Sequence, residues 1–249
     1  MSKRFLSTLI VAFSITACSE SPPISQDPAL TSPVIVFQSG LGDGREVWNP
    51  VINALANQYP VFAYDRPGYG SAPNNAAPRD PCATATALHS LLQQRGLKPP
   101  YLIVGHSLGG LYQFAFAQLY PSETSCMVLL DPTHPLRWEK IQAEIPDVAT
   151  AINTARQSFS PAMTAEFDQQ AVCSDRLLAH SSSIPVKLMV PGVLPPDEQG
   201  AYLALEIRLQ QEWQTLTMAS EIEKVQGAGH YIQKDAPTAV ADAIRSLAQ

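Results

Sequence analysis

The sequence predicts an α/β domain with a mostly parallel central sheet and helices on both faces. Three observations predict it. Short apolar runs recur at 34–37 (VIVF), 61–64 (VFAY), 101–104 (YLIV), 127–130 (MVLL) and 186–190 (VKLMV). Most lack the polar alternation of a half-exposed strand, as strands buried on both faces do. Longer amphipathic stretches lie between or after them, at 46–58, 81–95, 109–120 and 237–248. Such alternation of strand and helix builds a parallel sheet covered on both sides. With 249 residues, 45% of them hydrophobic, the chain is long enough to bury a sizeable core.

Taken in order, the chain opens with an address. Lys3 and Arg4 precede an apolar stretch from Phe5 to Ile15, the layout of a secretory signal. The stretch is too short to span a bilayer, which takes about 20 apolar residues. Ile15-Thr16-Ala17-Cys18 resembles a bacterial lipoprotein cleavage site. That resemblance implies removal of residues 1–17, lipid on the sulfur and amine of Cys18, and anchoring to a bacterial membrane. Ser19 after the cysteine favours the outer membrane in a Gram-negative cell. Residues 18–32 are then a tether, rich in Ser and Pro and poor in apolar groups. The domain proper is expected over 33–249.

After the strand at 127–130 the rhythm breaks. Residues 135–183 carry helical pattern at Trp138–Ala143 and Ala162–Leu178 without a clear strand. They read as an inserted helical lid. The stretch 197–218 is also helical, and Ile222–Val225 is a short strand before the last helix, which Pro237 suits as a first-turn residue.

Charge and cysteine content narrow the chemistry. Asp and Glu number 22 against 16 Lys and Arg, for a net charge of −6, and loss of Lys3 and Arg4 would leave −8. An acidic surface repels phosphate backbones, so nucleic acid is not an expected partner. The cysteines stand at 18, 82, 126 and 173 with no Cys-x-x-Cys pair, so no metal is expected. No organic cofactor is implied either, and oligomeric state is not legible.

The chemistry starts at Ser107. The strand at 101–104 runs into Gly105-His106-Ser107-Leu108-Gly109 and then a helix. A serine on a sharp strand-to-helix turn projects its oxygen above the sheet, and the tight turn tolerates little bulk on either side. The helix start behind it offers free N–H groups to developing negative charge.

Four motifs in order resemble those of an α/β-hydrolase-fold serine hydrolase. They are Gln38-Ser-Gly-Leu-Gly42, Asp65-Arg-Pro-Gly-Tyr-Gly70, Gly105-His-Ser-Leu-Gly109 and Gly229-His230. The likeness covers roughly residues 33–249. It implies Ser107 as nucleophile and a small-molecule ester as substrate. Of five histidines, His230 is the expected base, because it follows a short strand and a Gly227-Ala-Gly229 loop near the C-terminus. The family usually draws the orienting acid from the loop that here holds Asp197, whereas some members use the earlier strand end that here holds Asp131. Asp131 is favoured, being tied to its strand and followed by Pro132, and Asp197 is the alternative. The oxyanion donors are expected at the Leu108 and Leu41 backbones, although Ser39-Gly40 stands where the family usually has His-Gly.

Asp65 and Arg66 read as structural ties of a tight loop. Trp48, Trp138 and Trp213 are candidates for the pocket wall or for core. With Cys18 lipidated, three single disulfide pairings are open. Cys82 with Cys173 is the preferred one, leaving Cys126 buried and free. The implied reaction is ester hydrolysis through an acyl-enzyme, on a substrate with an apolar group under the lid. The same fold also supports carbon–carbon hydrolysis, perhydrolysis and acyl transfer, and a non-catalytic binding lipoprotein is the alternative of a different class.

Overall fold

A computed structural model of the chain describes residues 32–194 and 199–248. The expected signal peptide, Cys18, nearly all of the tether and Asp197 lie outside the described residues.

Six strands, β1 (Val34–Gln38), β2 (Val61–Ala63), β3 (Tyr101–His106), β4 (Thr124–Leu130), β5 (Val186–Pro191) and β6 (Ile222–Val225), form one parallel sheet in the order β2-β1-β3-β4-β5-β6. Chain direction reverses its progress across the sheet at β1/β3. In such sheets ligands bind beyond the carboxyl ends of the strands. The helices in chain order are α1 (Asn49–Ala54), α2 (Pro81–Gln94), α3 (Leu108–Leu119), α4 (Arg137–Glu144), α5 (Pro146–Ala155), α6 (Pro161–Gln169), α7 (Ser174–Leu178), α8 (Ala201–Thr217), α9 (Ile232–Asp235) and α10 (Pro237–Leu247).

The missing alternation in the strands has a direct structural counterpart. Ile35, Phe37, Leu102, Val104, Val128 and Leu130 pack to one side, with Trp48 and Val51 beside α1 and Val240 and Ile244 of α10. Their immediate neighbours Val36, Tyr101, Ile103, Met127 and Leu129 pack to the other, against α2, α3 and Trp213 of α8. Both faces are apolar because both are covered.

Between β4 and β5 run α4 to α7. Ile141, Ile145 and Ala149 form a small separate cluster with Leu205 and Leu209 of α8. So α8 packs this insertion with its first half and the main core with Trp213, which is fully buried. Cys82 at the start of α2 is disulfide-bonded to Cys173, with Cα atoms 6.2 Å apart, which ties the insertion to the main body. Cys126 is buried and free, its Sγ 3.3 Å from the Leu247 carbonyl. Among the described residues no helix is long and apolar enough to cross a membrane.

Candidate active site

Ser107 sits between the last residue of β3 and the first of α3 at φ 54°, ψ −124°. A non-glycine residue there costs on the order of 1–3 kcal/mol and must be held by its surroundings. They do so through backbone hydrogen bonds. The Ser107 amide donates to Leu130 O at 2.9 Å, and its carbonyl accepts from Gly110 N at 2.9 Å and Thr133 N at 3.0 Å. The two flanking glycines are required by close approach. A Cβ on Gly105 would lie 2.5 Å from Gly109 O, and one on Gly109 would lie 2.2 Å from Gln38 O.

Asp131 directly follows β4 and also has positive φ, 43°. Its amide donates to Met189 O at 2.8 Å, and the next peptide is held by Trp213 Nε1, which donates to Pro132 O at 2.9 Å. His230 comes from the loop between β6 and α9. Its Nδ1 lies 2.7 Å from Asp131 Oδ2. A carboxylate only accepts, so Nδ1 carries the proton of this bond. The His230 carbonyl is fixed in turn by His106, whose Nε2 donates to it at 2.8 Å. Burial, then the neighbouring His230, push the His106 imidazole down to about 3, so it is neutral at ordinary pH.

Ser107, Asp131 and His230 line one cavity of about 180 Å³. Among the described residues the side-chain hydrogen bond of His230 goes to Asp131 and not to Ser107 Oγ. Among the described residues no backbone acceptor is found for the Leu41 or Leu108 amide, and Gly40, next to Leu41, lies close to the Ser107 side chain. The loop that carries Leu41 is closed on itself: Ser39 Oγ donates to Gly44 O and accepts from Trp48 Nε1, both at 3.0 Å.

The rest of the wall was not legible in the sequence. Arg137, Tyr202, Glu206, Gln210 and Thr133 face the same cavity. Arg137 Nε donates to Glu206 Oε1 at 2.8 Å and the same guanidinium reaches the Tyr202 hydroxyl. This wall is more polar than the apolar group expected under the inserted helices. None of the three tryptophans lines it. Trp48 and Trp213 are core, and Trp138 packs edge-on against Phe167 at 5.0 Å. Asp43 was also missed. Its carboxylate lies 4.0 Å from His106 Nδ1, close to Gly40 and Ser107, and burial raises it. The one grouping of three metal-type ligands among the described residues is Asp80, Cys82 and Cys173, and the disulfide consumes both of its thiols.

Residues 33–215 match the family model described as alpha/beta hydrolase fold. The chain is 37% identical over 98 residues to YqjL of Bacillus subtilis, covering 39% of each protein. It is 37% identical over 111 residues to the protein named "Putative carbamate hydrolase RutD" of Escherichia coli, covering 44% of this chain and 38% of the relative. It thus spans about two fifths of the length of these curated relatives. Among solved structures, carboxylesterase CesB of Bacillus subtilis superposes with a TM-score of 0.57 at 19% identity, covering 88% of this chain and 84% of that one. At that identity the likeness speaks for the fold alone. The chain belongs to the α/β-hydrolase-fold family.

Proposed function

From membership of the α/β-hydrolase-fold family, we propose that this chain is a serine hydrolase of small carboxylic esters. One observation carries the reading: the 2.7 Å pairing of His230 Nδ1 with Asp131, in a cavity whose wall also holds Ser107 on its strained turn. The hydrolase name of a curated relative, "Putative carbamate hydrolase RutD", supports hydrolysis as the reaction class.

In this mechanism Ser107 Oγ attacks the ester carbonyl carbon while His230 Nε2 takes the hydroxyl proton. The carbonyl oxygen becomes an oxyanion that accepts from the Leu41 and Leu108 amides. Asp131 keeps the imidazole in the right tautomer and stabilises it when charged. The tetrahedral species collapses, and the alcohol leaves with the proton from His230. Water then gives its proton to His230 and its oxygen to the acyl carbon, which frees the acid and restores Ser107. The helices of the insertion act as a lid on this chemistry. A fluorophosphonate probe should label the wild-type chain and leave Ser107→Ala unlabelled, and an unlabelled, folded wild type would remove the reading.

We also propose that the chain is exported and lipid-anchored through Cys18. Growth with a labelled fatty acid should tag the wild type and not Cys18→Ser. Equal incorporation in both would refute the anchor.

A further inference from the structure

We infer that Arg66, held by Glu166 of the insertion, is a positioning residue that aims the Leu41 amide into the oxyanion site. The inference rests on the serine-hydrolase reading above and goes beyond it.

The two proposed oxyanion donors are supported unequally. Leu108 is the first residue of α3, so its N–H direction is set by a helix. Leu41 lies in a loop with no helix or strand to aim it, where the Gly40 carbonyl takes only a long turn bond, 3.4 Å, from Asp43 N. In a trans peptide the C=O and the following N–H point in opposite directions across one plane. The Leu41 N–H therefore points wherever the Gly40 carbonyl does not. Arg66 takes hold of that carbonyl. Its NH2 group donates to Gly40 O at 2.8 Å, and NH1 donates to Ser39 O at 2.5 Å. Two consecutive peptides of the loop are thus gripped by one planar group.

Arg66 is itself fixed. Its Nε and NH2 fork onto Glu166 at 2.8 and 2.9 Å, and Tyr69 OH donates to the same carboxylate at 2.8 Å. Arg79 approaches Glu166 from another side at 3.4 Å. The pair is almost fully buried, at 4% and 1% exposure. Buried ion pairs repay their desolvation poorly as a source of stability. What this one supplies is direction, since a guanidinium fork locks both partners in a plane. Glu166 belongs to α6, which precedes the disulfide-bonded Cys173 by only a few residues. The insertion therefore braces the oxyanion loop from behind.

The test uses the full chain with Arg66→Lys and Glu166→Gln. Lysine keeps the charge but has no fork, and glutamine keeps the shape but loses the charge. Four quantities are read: kcat and KM on a 4-nitrophenyl ester, Ki for a trifluoromethyl ketone that forms a tetrahedral oxyanion adduct, and Tm. Loss of an oxyanion donor costs about a hundredfold or more in kcat. A misaimed one should cost about tenfold or more, with KM within about threefold and the ketone weakened in step with kcat. A folded variant that keeps both kcat and ketone affinity within about twofold would overturn the proposal. So would a fall confined to KM, or failure of both variants to fold, which would make the pair merely structural. A wild type inert toward ester and ketone would instead sink the serine-hydrolase reading itself.

Discussion

Ser107 and Asp131 share a backbone trait. Both follow the last residue of adjacent strands, β3 and β4, and both adopt positive φ without being glycine. Strain of this kind persists only where neighbours over-determine it, and it concentrates at working sites. Asp131 accepts the His230 Nδ1 proton, and Asn in its place could present an N–H there instead and invert the imidazole. Asp131→Asn should therefore lower kcat on the order of a thousandfold or more while Tm stays within a few degrees. Full activity in a folded Asp131→Asn would reject its role as the acid. The sharp turn at Ser107 was legible because its motif stood between a strand and a helix. The loop position of His230, after β6, was legible from the short strand and glycines that precede it. Glu166 was not, because it meets Arg66 across 100 residues and no local pattern announces such a pair. Asp43 was equally silent, since its position beside Gly40 depends on how one loop closes.

At the scale of elements, strands were read more reliably than helices. Each apolar run falls on a strand of the sheet, most plainly in β3 and β4, which are buried on two faces, whereas β2 at the sheet edge is partly exposed. The helical stretch at 46–58 is in fact a short 3-10 turn, Arg45–Trp48, followed by α1, and it stops where Ala56 and Asn57 turn to positive φ. The stretch at 162–178 is two helices, α6 and α7, parted just before Cys173. Helix α5 was not foreseen, although Pro146 marks its first turn. Of α5 only Ala149 is buried, so it offers few core positions by which to recognise it.

At the scale of the molecule, two buried imidazoles couple folding to pH. Burial lowers His106 to about 3 and His134 to about 4, the latter against the opposing pull of Glu212. Both are neutral in the fold and take a proton near pH 6.5 once unfolded. The unfolded chain therefore binds more protons below that pH, and stability falls as pH drops toward 4. Each contributes a slope of up to about 1.4 kcal/mol per pH unit. Asp43, raised by burial, acts with the opposite sign, but only close to its own lower range. Tm should fall measurably from pH 7 to pH 5, and less so in His134→Gln. A Tm that is flat over this window would contradict the assignment of both imidazoles as neutral.

The proposed function requires that Ser107 become covalently acylated by an ester substrate. It is tested most directly by quenching the full-length chain in acid during turnover of an activated 4-nitrophenyl ester and mapping the digested peptides by mass spectrometry. One acyl increment is expected on the peptide that contains Ser107, depleted after the substrate is exhausted and missing from Ser107→Ala. Turnover with that peptide unmodified throughout, or with equal turnover by Ser107→Ala, would contradict it.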